Sequence, residues 1–223
     1  MFVGHYGPSF LAKRLDPAIP LWVLFLAVQL VDVFWAIFIF LGVENVRIVP
    51  GFTETNALDL YYMPYTHSFP GALAWAAAAA ILYRWITGSG GGGLLVGAAV
   101  FSHWPLDLLV HRPDLALYDD AAKVGLGLWD YPYVTLALEG ALLLGAMGLY
   151  MAKSRPLTGR ARFSMPVFGL AILLMQWGML FSPPPPSGRA MATTALIAYA
   201  LLAATIAWLE GGRAVEERKD SGE

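Results

Sequence analysis

Three residues spaced four apart, His103, Asp107 and His111, stand in the stretch Phe101-Ser-His-Trp-Pro-Leu-Asp-Leu-Leu-Val-His111. On a helix this spacing sets two imidazoles and a carboxylate along one narrow face. The flanking residues are apolar enough to span a membrane, where an aspartate near the centre costs roughly 2.5–3.5 kcal/mol on insertion scales and marks function by default. The other two of the four histidines, His5 and His67, also sit in short polar islands beside apolar segments. The chain has no cysteine, so a metal would have to be held by imidazole and carboxylate, the ligands of Zn²⁺ and Mn²⁺. His103 and Asp107, one turn apart, form a two-ligand clamp. Asp32 and His67 can complete a four-ligand shell, with His5 a fifth ligand or the binder of a second metal. His111 and Asp59 are additional candidates. Such a cation lowers the pKa of bound water toward about 7 and polarises a carbonyl or phosphoryl group. A carboxylate not fully committed to it, Asp32 or Asp107, can serve as general base.

The bland reading of each residue has to be set beside this one. A lone histidine or aspartate in a membrane helix often makes only an interhelical hydrogen bond. Glu139, alone in its segment, reads that way. Asp59 and Asp130 read as loop or cap residues, His111 sits at a helix end beside Arg112-Pro113, and the tryptophans read as packing or interfacial aromatics. Sharing of one face by His103 and Asp107 is what favours chemistry for that pair.

Composition supplies the frame that must position these groups. Of 223 residues 58% are hydrophobic and 13% charged, and the mean hydropathy is +0.59. Soluble domains run nearer a quarter charged, so an integral membrane protein is expected. The net charge of −2 excludes a nucleic-acid partner, and without cysteine there is no disulfide or iron–sulfur cluster. No removable signal peptide is evident. The expected architecture is all-α, a polytopic bundle of about six membrane helices with a short N-terminal amphipathic or re-entrant helix. The spans are expected at Leu21 to about Val43, Pro70 to about Ile86, Leu94 onward through the opening motif, Pro132 to Ala152, Phe163 to Phe181, and a last one ending near Leu209. Thr66 or Ser68 caps the second span ahead of Pro70, and Gly88 to Gly93 reads as a flexible turn. Residues 1–209 form one membrane domain, and 210–223 a charged, disordered tail.

Lysine and arginine placement gives a topology. Lys13, Arg14, Arg84, Lys153, Arg155, Arg160, Arg162, Arg213, Arg218 and Lys219 collect on one side, leaving Arg47, Arg112, Lys123 and Arg189 on the other. The positive-inside rule then puts both termini in the cytoplasm and opens the candidate site toward the outer face. His5 reaches it only if its segment dips into the bundle with protein covering its backbone.

In sequence order, Gly4-His5, Gln29-Leu-Val-Asp32, Tyr65-Thr-His67-Ser68 and Ser102-His103-Trp-Pro-Leu-Asp107 resemble the bacterial membrane-bound metal-dependent hydrolase family, the group that includes an SOS-regulated inner-membrane hydrolase. The resemblance covers about the first half of the chain. It implies His5, Asp32, His67, His103 and Asp107 as the metal-site residues, residence in the bacterial inner membrane, and hydrolysis of a lipid, phosphoester or other membrane-delivered substrate. Departures are visible: the family's Asp-x-Asp-His is here Asp32-Val33-Phe34, and its His-Arg ahead of Thr-His-Ser is replaced by Tyr62-Met-Pro-Tyr65. Two other classes use similar residues. A proton- or cation-coupled transporter or channel would use the His/Asp cluster as a relay, and a haem carrier would use paired histidines. Interleaved carboxylates argue against haem, and clustering of the polar residues in the first three spans argues against a repeat-built transporter.

Overall fold

The computed structural model describes residues 1–215. A 3₁₀ turn, Val3–His5, leads into α1 (Tyr6–Leu15), followed by α2 (Leu21–Val28) and α3 (Leu30–Leu41). A hairpin of β1 (Asn45–Ile48) and β2 (Leu58–Tyr62) precedes α4 (Phe69–Thr87), α5 (Gly90–Phe101) and α6 (His103–Val110). A second hairpin, β3 (Leu115–Tyr118) with β4 (Ala121–Val124), leads to α7 (Pro132–Ala152). Then come β5 (Ser154–Pro156), α8 (Ala161–Met179), α9 (Gly188–Glu210) and β6 (Arg213–Val215), which pairs with β5.

The all-α bundle is present, with a different span count from the one expected. Among the described residues four helices are long and apolar enough to cross a membrane: α4, α5 and α6 taken together as Gly90–Val110, α7 and α9. The α2–α3 pair makes a fifth if its two halves, bent by 52° at Gln29, count as one span. The expected fifth span is helical as α8, but Arg162, Ser164 and Gln176 dilute its apolar character. Among the described residues, the segments read as polar loops hold two hairpins, and β5 and β6 form a third two-stranded sheet between segments remote in the chain. Part of the expected tail, Arg213–Val215, is a strand; the rest, 216–223, lies outside the described residues.

Local chemistry explains the helix boundaries. Ser68 accepts a hydrogen bond from the Gly71 amide and Pro70 occupies the first turn of α4, as the capping pattern predicts. The glycine run is not a flexible turn. Ser89 caps α5 through the Gly92 amide, and Gly90 to Gly93 are helical. Gly97 shows why small residues are needed there: a Cβ would lie 2.9 Å from the Ala76 carbonyl oxygen of α4. Close backbone approach replaces side-chain interdigitation at this α4–α5 contact.

The N-terminal segment is enclosed by the bundle. Val3, His5, Tyr6 and Phe10 are buried, and α1 packs between α2 and α7. Gly7 permits this, since a Cβ would come within 2.8 Å of the Leu142 carbonyl oxygen. Lys13, counted above among the cationic residues of one side, is buried. Its Nζ donates to the Pro17 and Ile19 carbonyls at 2.6 and 2.8 Å and pairs with Glu210 at 2.5 Å. Beside that pair a cavity of about 290 Å³ is lined by Tyr150 and Arg213 at the β5–β6 end of the molecule. At the opposite end the first two hairpins cover a second apolar core of Trp35, Leu60, Met63, Val110, Leu115 and Trp129.

Candidate metal centre

The break at Gln29 builds two parts of the site. It starts a new helix, so Asp32 falls in the first turn of α3, where the helix dipole favours a carboxylate. It also leaves carbonyls at the end of α2 without intrahelical donors. Val28 is one of them, and its oxygen accepts a 2.8 Å hydrogen bond from His103 Nδ1, on the first residue of α6. A hydrogen on Nδ1 leaves Nε2 of the neutral ring as an acceptor.

The same logic recurs at two more histidines. The Thr66 hydroxyl donates to Glu44 Oε2 at 2.6 Å, so the 2.8 Å contact between Thr66 Oγ1 and His67 Nδ1 places the hydrogen on the imidazole. Glu44 is itself held by the Tyr65 and Thr66 amides at 2.8 and 2.9 Å. His111 Nδ1 donates to Asp114 Oδ1 at 2.8 Å. Three imidazoles are therefore pinned from behind, each presenting Nε2 to the same place, which is the way metal-binding histidines are oriented.

Two carboxylates meet them. Asp32 Oδ1 lies 3.2 Å from His67 Nε2 and 3.5 Å from His103 Nε2. Asp107 Oδ2 lies 3.0 Å from His103 Nε2, 3.5 Å from His111 Nε2 and 3.7 Å from His67 Nε2. His103 Nε2 is buried without a hydrogen-bond partner despite that 3.0 Å approach. Ligand atoms about 2.0–2.2 Å from a tetrahedral Zn²⁺ are about 3.3–3.6 Å from one another, close to the separations found. Acceptor facing acceptor is repulsive inside a protein. One divalent cation would offset it, supplying two positive charges for the two carboxylates.

The remaining oxygens are occupied elsewhere. Asp32 Oδ2 accepts from the Tyr199 hydroxyl of α9 at 2.8 Å. Asp107 Oδ1 accepts from the Met1 amino group at 2.6 Å and lies 3.1 Å from His5 Nε2. The His5 ring stacks on His103 with centroids 3.9 Å apart. Burial pulls the His5 imidazole down to about 3, so it is neutral at pH 7. At His111 burial disfavours the cation, but the Asp107 and Asp114 carboxylates outweigh it and hold that imidazole above its ordinary value.

Two ligand groups can be drawn from the cluster: His5, His103 and Asp107, and Asp32, His67 and His103. All five principal candidates thus converge, and His111 joins them through Asp107. Asp59 does not. It lies on β2 facing Arg47, with a carboxylate-to-guanidinium distance of 3.9 Å. Glu139 Oε2 accepts from the Phe2 and Gly4 amides at 2.9 and 3.1 Å, which anchors the segment carrying His5 to α7. Sequence reasoning missed Glu44 and Tyr199, which lie 22 and 167 residues from the partners they orient. Buried Glu44 carried one overlooked signal, an acid just beyond the end of an apolar segment.

The cluster lies at the floor of a cavity of about 460 Å³, lined by Asp32, His67, Asp107 and His111 at its polar part and mainly by apolar side chains elsewhere. Compared with protein-family models, curated proteins and solved structures, the chain matched none.

Proposed function

We propose that this protein is a membrane-embedded, metal-dependent hydrolase, a divergent member of the bacterial membrane-bound hydrolase family its motifs resemble. In this reading it sits in the inner membrane with both termini cytoplasmic. Asp32, His67, His103 and Asp107 hold one divalent cation, Zn²⁺ in first place and Mn²⁺ in second, with His5 and His111 in the adjoining positions. The observation that carries this is the orientation of His67, His103 and His111. Each is tethered through Nδ1 to a separate acceptor and aims Nε2 at the Asp107 carboxylate, and His67 and His103 also face Asp32.

When bound, the cation would supply an acidified water and polarise the scissile group. The chain's own residues do the rest. Asp32 is the more accessible of the two acids, with 17% of its side chain exposed against 2% for Asp107. It lines the cavity and is the acid placed to take a proton from water there. Tyr199 holds its Oδ2 still, and the apolar cavity walls exclude bulk water. A relay for ions would need polar groups strung along the path. The single compact knot of side chains supports hydrolysis over transport.

The test is elemental analysis of the purified protein and of three variants. Wild type is expected to hold zinc or manganese stoichiometrically, and His103→Ala and Asp107→Ala to lose it. Glu139→Gln, which keeps an acceptor for the Phe2 and Gly4 amides, should retain it. Equal metal content in all three variants would refute the ligand assignment.

A further inference from the structure

The cavity above the cluster has a composition that speaks to the substrate. Its walls include Trp35, Leu60, Met63 and Met191, and its polar lining carries Asp32, Asp107 and Glu139. Among the described residues that line it there is no lysine or arginine, and the Met1 amine is already paired with Asp107 and the His111 imidazole with Asp114. Sites that take phosphate provide arginine, lysine or a ring of amide donors to match its charge. Here a cation of charge two together with the Met1 amine would be matched by Asp32, Asp107 and Glu139, leaving nothing for an anionic head. Burying an unpaired phosphate charge in such a pocket is strongly unfavourable.

Two buried polar atoms on the wall point the same way. Trp35 Nε1–H and Gln176 Oε1 have no hydrogen-bond partner among the described residues, and both side chains line the cavity. They offer a neutral donor and a neutral acceptor, the complement of an uncharged ester or amide. The mouth is lateral. Met175 and Met179 of α8, Pro183 of the α8–α9 connection and Thr194 of α9 line the cavity and are also exposed, which puts the opening on the seam between those helices.

We infer that the substrate is an uncharged acyl ester or amide with an apolar chain, admitted from the bilayer between α8 and α9. This rests on the hydrolase reading above and narrows it from phosphoesters and lipids at large to carboxylic acyl compounds. In the reaction, water oxygen bonds to the acyl carbon and the bond from that carbon to the alcohol oxygen or amine nitrogen breaks. The proton taken by Asp32 passes to the leaving group, giving a carboxylic acid, ionised on release, and a free alcohol or amine.

The test uses the full chain in lipid nanodiscs and two readouts. First, a long-chain fatty amide bearing a diazirine is photolysed with metal-free protein. Label on Leu60 or Met63, which are buried and line the cavity, is expected. Label confined to the outward-facing Leu170, Leu174 and Leu201 would overturn the inference. Second, zinc-loaded protein is assayed on para-nitrophenyl laurate, para-nitrophenyl butyrate and bis-para-nitrophenyl phosphate. Turnover of the laurate is expected, with the phosphate diester inert. Thr194→Trp, which fills the exposed mouth, should lower kcat/KM for the laurate by at least about tenfold, the scale on which a pocket registers one methylene, and leave the butyrate nearly unchanged. Cleavage of the diester with the laurate inert would overturn this inference and leave the metal centre standing. Label at Met63 in a protein that never binds metal would support the acyl-chain cavity and refute the hydrolase reading instead.

Discussion

Removing one hydroxyl, by Thr66→Val, tests whether the His67 imidazole is held as a metal ligand. Thr66 Oγ1 links Glu44 to His67, donating at 2.6 Å and accepting at 2.8 Å. Valine has nearly the same shape, so packing around α4 is preserved, and Glu44 keeps its bonds from the Tyr65 and Thr66 amides. What is lost is the acceptor that fixes the His67 tautomer. Outer-shell partners of ligating histidines are worth about 10–100-fold in metal affinity, which is roughly 1.4–2.7 kcal/mol. The buried Nδ1–H left without an acceptor adds a stability cost of about 1–3 kcal/mol. Competition with a zinc-chelating dye in detergent measures the first quantity, and thermal unfolding of the metal-free protein the second. Thr66→Ser, which restores the hydroxyl, should recover most of the affinity. A Thr66→Val protein that is less stable yet binds zinc as tightly as wild type would show that Thr66 and Glu44 only brace the fold.

Other expectations concern separate parts of the molecule. Tyr199→Phe frees Asp32 Oδ2, and should lower turnover by about tenfold or more while metal content stays near wild type; loss of metal would mean the tyrosine supports binding and not the base. Because its two carboxylate neighbours hold His111 above its ordinary value, protons compete with the cation there, so zinc affinity should fall as pH drops through and below that raised value and recover on return. An affinity that stays flat between pH 8 and pH 5, followed by the same dye, would contradict imidazole ligation. At the other end, Lys13→Met leaves Glu210 facing a buried gap, with its bond from the Leu21 amide its remaining partner among the described residues. Breaking a largely buried pair costs about 3 kcal/mol, somewhat less for the part-exposed Glu210, and should appear as a lower unfolding temperature with unchanged zinc content.

Some of the fold and the site could be read without coordinates because it depends on local rules. Long apolar segments must form helices in lipid, since no water is there to satisfy the backbone, and that logic found α4, α7 and α9. The pairing of His103 with Asp107 follows from the pitch of one helix. The Ser68 cap follows from a serine two residues before Pro70. The first hairpin left only a brief signal, the alternation in Asn45-Val46-Arg47-Ile48 and Leu58-Asp59-Leu60, and runs that short gain a partner and a register only across the intervening segment.

Composition and spacing alone thus determined a helical membrane-type protein with costly imidazoles and carboxylates in its early segments. Tertiary structure decided that those groups meet. The 52° bend at Gln29 turns Asp32 inward and hands the Val28 carbonyl to His103, and burial of α1 against α7 delivers His5. Glu44 and Tyr199 reach the site only through packing between elements remote in the chain. Helical periodicity states which face a residue occupies, but the neighbour that face meets is set by side-chain packing among helices, which no single segment encodes.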